Sequence, residues 1–255
     1  MQAIRSHPLV AFFVLAFVIA WAFVPFGSFG AFAPLVAALI VVPVSRGRAG
    51  LLELGRRVLR WRVRWYWWAL AVLVPLAVHV IAVVVTGPPA DSPFATASVG
   101  TVVLLFLLRL VNPLDGPLGE EPGWRGVALP GMAARLSPLA ATSVLAVLIT
   151  VWHLPLAFLG GGDPASTVVF IVVGTVGVTF WYSWLFAHAG GSVLLCLVAH
   201  GVEGAINNDT LVYVSVWLVV AVLLVVVDRR WWRGPAPTAA RTPDPPLTGG
   251  GLAPR

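Results

Sequence analysis

Ionisable side chains stand inside stretches that are otherwise apolar, among them Glu120, Glu121, Arg125, His153, His200 and Glu203, with Arg109 nearer a membrane face. An ionisable group in hydrocarbon costs at least about 2.5–3.5 kcal/mol on the insertion scale, so each marks function by default. They fall in three separated segments, as a site assembled between helices requires. The first segment is Gly119-Glu120-Glu121-Pro122-Gly123-Trp124-Arg125-Gly126. Pro122 fits the first turn of a helix, where its missing N–H costs nothing. The carboxylates then sit at the positive end of the helix dipole. Glu121 and Arg125 are four apart, share a face and can neutralise each other. Glu120 points about 100° away around the helix, free to act as a general base. The competing explanation is an ion pair that caps a kinked helix.

The second segment is Trp152-His153-Leu154-Pro155, and the third opens at Gly190-Gly191-Ser192 with His200 below it. His200, Glu203 and Asn207 recur at helical spacing and face one way. A lone His in either place is as well explained by a hydrogen bond between helices. Two other chemistries use the same groups. Glu120, His153 and His200 could ligate zinc, although no His-Glu-x-x-His pair fixes two of them. Cys196 lies four before His200, as a Cys–His nucleophile would, but a small buried apolar residue is its commoner role. No metal or cofactor is expected.

The elements that carry these residues are set by composition. Of 255 residues, 59% are hydrophobic and 10% charged, against roughly 25% charged in a soluble domain. Lipid must be the main solvent. Apolar runs approach the roughly 20 residues a crossing needs near Pro8–Phe26, Phe29–Val44, Tyr66–Thr86, Val99–Val111, Pro138–Leu159, Ser166–Phe186, Ser192–Ile206 and Thr210–Val227. The expected fold is therefore all-α, a polytopic transmembrane helix bundle of about eight spans. The first run is too long for a cleaved signal peptide and is expected to remain as a span.

Charge placement orients the set. Arg5, the seven Arg between Arg46 and Arg64, Arg135, and Arg229, Arg230 and Arg233 fall in alternate connections. The remaining connections carry Asp91, Asp163 and Asp209 and no Arg. Under the positive-inside rule both termini are cytoplasmic. The net charge of +6 thus reads as membrane-surface charge and gives no reason to invoke nucleic acid. Leu51–Trp68, with Arg, Trp and Leu mixed, is expected to be one interfacial helix. Residues 1–233 form the membrane domain, with a catalytic core at about 117–208. Residues 234–255, rich in Pro and Gly, are expected to be a disordered cytoplasmic tail. The absence of Lys and the many Ala, Val, Gly and Pro suit a GC-rich bacterial genome, hence a bacterial cytoplasmic membrane. The single Cys196 excludes an intrachain disulfide framework. No internal repeat suggests an inverted-repeat transporter.

Taken in order, Glu120-Glu121-x-x-x-Arg125, Trp152-His153-Leu154-Pro155 and Gly191-Ser192 leading to His200 resemble the CPBP family, the CAAX-protease or Abi family of intramembrane glutamic endopeptidases. The resemblance covers roughly 117–208. It implies a water-activating pair at Glu120 and His153, support from Glu121 and Arg125, and oxyanion stabilisation by His200. It also implies a peptide or membrane-anchored protein as substrate, of the CAAX or bacteriocin-processing kind. Two positions depart from the family pattern: Ile149 stands where Phe is usual, and Gly204 stands where Asn is usual. Asn207, almost one turn further along, is the candidate substitute for the second. A catalytically degenerate scaffold or immunity protein on the same fold, and a small-solute transporter, are the alternatives.

Depth gives an independent expectation. At 1.5 Å per residue, His153 lies roughly 22 Å beyond Pro138, and Glu120 about as far before Arg135. The three segments can meet only if Val99–Arg135 makes one net crossing broken near Pro113–Pro117. Such a break is tolerated where it lines a protein-enclosed cavity.

Overall fold

The computed structural model describes residues 2–87, 98–114, 116–206, 208 and 210–234. Among them the chain is all helix: α1 Gln2–Ser6, α2 Pro8–Trp21, α3 Ala33–Val58, α4 Trp65–Thr86, α5 Val99–Val111, α6 Pro117–Gly123, α7 Leu129–Ala133, α8 Pro138–His153, α9 Pro164–His188, α10 Val193–Ala205, α11 Leu211–Val227 and α12 Arg229–Arg233. Five of these stretches are long and apolar enough to cross a membrane, and α5, α10 and α11 are shorter apolar helices. The chain is a multi-pass helical membrane protein. Its outward faces carry Val14, Val84, Leu108 and Val226, each more than half exposed, a distribution that only lipid makes inexpensive. The inward faces carry small residues and large aromatics, among them Ala16, Ala37, Trp124, Trp152 and Trp217.

The helix starts follow local chemistry. Ser98, Ser137, Ser192 and Thr210 each accept a backbone N–H from the first turn of α5, α8, α10 and α11, which satisfies one of the donors a helix start leaves open. Asp163 does the same for α9, accepting both the N–H and the hydroxyl of Ser166. The side-chain hydrogen bond from Ser166 favours the ionised carboxyl and holds it below its ordinary range.

Leu51–Trp68 departs from its expectation. Gly47, at φ 62° and ψ −160°, breaks α3, and the helical stretch after it ends at Val58. Trp65–Trp68 already belong to α4. Gly supplies a backbone angle that other residues avoid, so the chain turns sharply between crossing and surface. The Arg-rich connection is thereby split into a short helix and a loop. Asp91, Asp209 and the tail 235–255 lie outside the described residues.

The basic connections gather at one end of the bundle, as the charge pattern requires. Arg5 Nε donates to the Val44 carbonyl at 3.2 Å, Arg60 Nη1 to the Gly190 carbonyl at 2.8 Å, and the Ser192 hydroxyl to the Arg60 carbonyl at 2.7 Å. His188 and Trp184 both reach Asp228 Oδ2 at 2.9 Å, tying the end of α9 to the end of α11. An open cavity of about 500 Å³ lies at this end, lined by Arg60, Arg64, Trp67 and His188 among others.

The segment from Val99 to Arg135 is broken as expected. α5 has 13 residues, about 20 Å of helix, which is short of the roughly 30 Å hydrocarbon core. The chain then leaves helical geometry and re-enters at Pro117, with Gly116 at φ 66° as the N-cap.

Candidate functional site

α6 carries the two carboxylates at its fourth and fifth residues. Its helix begins one turn earlier than expected, at Pro117, so Pro122 lies inside it. A proline there withdraws one backbone donor, and the chain responds with a π-turn over Trp124–Ala128. Such turns are frequent at functional sites because the extra residue re-aims the side chains around it. This one contains Arg125. Gly123 lets the segment approach α3 closely: a Cβ there would lie 2.5 Å from the Pro34 carbonyl oxygen and 2.7 Å from its carbon. Because the obstacle is backbone, Gly123→Ala must push α6 away from α3. Overpacking of this kind costs about 1–3 kcal/mol. The expected result is a lower unfolding temperature, read by tryptophan fluorescence in detergent.

Two layers of polar groups emerge. In the inner one, Arg125 Nη1 donates to Glu121 Oε1 at 3.2 Å, and His200 Nδ1 donates to the same oxygen at 2.9 Å. Glu121 and Arg125 have side-chain exposures of only 1% and 3%. The guanidinium carbon also sits 5.0 Å above the Tyr182 ring, and His200 stacks on that ring at 5.5 Å between centroids. Glu121 Oε2 and Arg125 Nε and Nη2 are buried without a hydrogen-bond partner among the described residues. In the outer layer, Glu120, His153 and His200 retain side-chain exposures of 10%, 22% and 16%. These three reach accessible space; the ion pair behind them does not.

His153 is held for one task. Its Nδ1 lies 2.9 Å from the Ile149 carbonyl, and since a carbonyl only accepts, Nδ1 donates. In the neutral ring Nε2 is then an acceptor. That nitrogen faces Glu120 Oε2 at 4.0 Å, too far for a direct hydrogen bond. A water about 2.8 Å from each atom would make an angle of about 90° between them. Phe29 and Trp152 pack on the His153 ring at centroid distances of 6.1 and 4.6 Å. Trp152 is itself fixed by donating to the Ala16 carbonyl at 3.0 Å. Trp124 Nε1 donates to Glu120 Oε2 at 3.4 Å, so the carboxylate is aimed from its own helix.

The structure therefore brings Glu120, Glu121, Arg125, His153 and His200 together from α6, the π-turn, α8 and α10. Asn207 lies outside the described residues. Among the described residues α10 ends at Ala205, with Ile206 as its C-cap. Glu203, on the same helix, accepts the Tyr213 hydroxyl at 3.1 Å. The Cys196 thiol donates to the carbonyls of Tyr182 and Ser192 at 3.5 and 3.7 Å, an arrangement that serves packing and gives no support to a Cys–His pair. Among the described residues no three His, Cys, Asp or Glu side chains group closely enough to hold a metal ion. The sequence offered no signal for Phe29 or Tyr182, since an aromatic in an apolar stretch is ordinary.

Residues 98–206 match the family model of Rce1-like type II CAAX prenyl endopeptidases. The CAAX prenyl protease 2 of Methanococcus maripaludis is 26% identical over 145 residues, covering 51% of this chain and 51% of that protein. The chain thus spans about half the length of the curated relative it matches. The matched region holds α5 to α10, and with them all five converging side chains. Through this region the chain resembles the CPBP family, the CAAX-protease group of membrane proteins.

Proposed function

We propose that this chain is an intramembrane endopeptidase that hydrolyses a peptide bond with a water activated by Glu120 and His153. The observation that carries the reading is the facing pair: Glu120 Oε2 and His153 Nε2 stand 4.0 Å apart, while Nδ1 is occupied by the Ile149 carbonyl. A water held there loses its proton to the base as it attacks the scissile carbonyl. The proton can then pass to the leaving amine, and the carbonyl oxygen gathers negative charge. When the His200 ring is protonated, its Nδ1 donates to Glu121 and its Nε2–H is a donor for that oxygen. Glu121 and Arg125 position His200 from behind. Walls of hydrocarbon side chains strengthen each of these interactions.

The substrate class proposed is a membrane-anchored protein or peptide of the CAAX or bacteriocin-processing kind, drawn from the bilayer. The Arg-bearing end faces the cytoplasm of a bacterial cell in this reading, with both termini on that side. The test uses purified full-length protein in detergent with a quenched fluorescent prenylated CAAX peptide. Cleavage that resists chelators and thiol reagents, and is lost in Glu120→Ala and His153→Ala, supports the glutamate mechanism. Loss to a chelator returns the metal alternative. Cleavage that survives both substitutions sinks the proposal, and ion flux that survives them favours transport.

A further inference from the structure

The helix break at Val58 has a consequence for charge. The helical stretch that carries Arg56 and Arg57 ends there, and α4 begins at Trp65. On one continuous helix, side chains two apart point about 200° from each other, so Arg62 would face away from Arg60 and Arg64. Outside the helix, all three line the same open cavity of about 500 Å³, with Trp67 and His188. The stretch is held in place. Arg60 donates to the Gly190 carbonyl, its own carbonyl accepts the Ser192 hydroxyl, and Trp68 Nε1 donates to the Trp61 carbonyl at 3.3 Å. Among the described residues no carboxylate lines the cavity. Arg57 is paired with Glu53, and Asp228 is engaged by His188 and Trp184.

We propose that this cavity binds the phosphate of an anionic phospholipid. Three guanidinium groups gathered without a counter-charge repel one another, and an anion between them relieves that. Their planar forks match phosphate oxygens two at a time. Arg64 gives one N–H to the Tyr66 hydroxyl at 3.3 Å, and a guanidinium has five. The volume lies in the range of about 300–1,000 Å³ typical of small-molecule sites, more than a bare inorganic anion fills. The rim points to a lipid source for the phosphate. Leu59, Trp61 and Trp65 beside the cavity are exposed, and indoles of this kind sit at headgroup level. From Trp65 inward, exposed Leu73, Leu76, Val80 and Val84 follow at helical spacing along α4, a stripe that acyl chains can cover. Basic pockets at the helix ends of membrane proteins hold such headgroups. The cavity is separate from the carboxylate–imidazole layer, since Gly190 precedes His200 by ten residues.

The test titrates the purified full chain in detergent with phosphatidylglycerol, reading bound lipid by native mass spectrometry and following melting temperature in parallel. Phosphatidylglycerol is expected to bind at least about tenfold more tightly than phosphatidylcholine and to raise the melting temperature. Inorganic phosphate and glycerophosphate at the same concentration are expected to leave it unchanged. Arg62 and Arg64 lie over the rings of Trp61 and Tyr66 in their own segment, so they can be replaced while Arg60 keeps its hold on Gly190. Arg62→Gln and Arg64→Gln should each weaken phosphatidylglycerol binding about fivefold, and together about 30-fold. Arg48→Gln with Arg56→Gln removes the same charge outside the cavity and should stay within about threefold of wild type. Equal losses in the two double variants would reduce the effect to general surface charge and overturn the site. Phosphatidylcholine binding as tightly as phosphatidylglycerol, or free phosphate stabilising the chain as much as the lipid, overturns it as well. None of these readouts depends on peptide cleavage.

Discussion

Glu120→Gln is expected to lower kcat for peptide cleavage by about 10²–10⁴-fold, the range a positioned general base supplies, with the melting temperature close to wild type. The amide keeps the shape of the carboxylate and keeps an oxygen for the Trp124 N–H. It cannot take a proton from water. The loss should therefore appear in kcat, and substrate affinity should change little. His153→Ala should fall in the same range. On the proposal that the two groups act on one water, the double variant should be hardly worse than either single one. Steady-state kinetics on the three variants checks this. Strictly multiplicative losses would mean that Glu120 and His153 act in separate steps, against the shared water inferred from their 4.0 Å separation.

Glu121→Ala is expected to be the most destabilising single change in the site, by about 3–5 kcal/mol. It strands the Arg125 guanidinium, which is 3% exposed, and takes the acceptor from His200 Nδ1. Against a total stability of about 5–15 kcal/mol, the variant should unfold at a sharply lower temperature. Removing both partners, as in Glu121→Leu with Arg125→Met, leaves no uncompensated charge and should recover most of the loss. Activity should stay low in the double variant, since nothing then aims His200. Thermal unfolding in detergent separates the two outcomes. An unchanged melting temperature for Glu121→Ala would show that the pair does not brace α6 against α10.

These two carboxylates, neighbours in sequence, illustrate what was legible in advance. The Glu121–Arg125 pair lies within one helical turn, so residue spacing alone foretold it. The turn of the helix also foretold that Glu120 would point elsewhere. What Glu120 meets was not foretold, because His153 is 33 positions away and its approach depends on how α8 packs on α6. The break after α5 was readable from depth, since three groups cannot share a level unless the helix bearing Glu120 starts inside the bilayer. The single surface helix expected at Leu51–Trp68 was not legible in its bounds: composition did not reveal that the helix stops at Val58 and that Trp65–Trp68 open the next crossing.

The sequence by itself determined the membrane class, the one-sided Arg pattern and the identity of the ionisable residues. Hydropathy and charge accumulate residue by residue, and spans inherit them directly. Tertiary structure alone decided that His200 shares an oxygen of Glu121 with Arg125, and that Arg60 and Arg64 line one cavity with His188. Those relations hold between helices, where the closeness of two backbones is set by which side chains are small enough to let them meet.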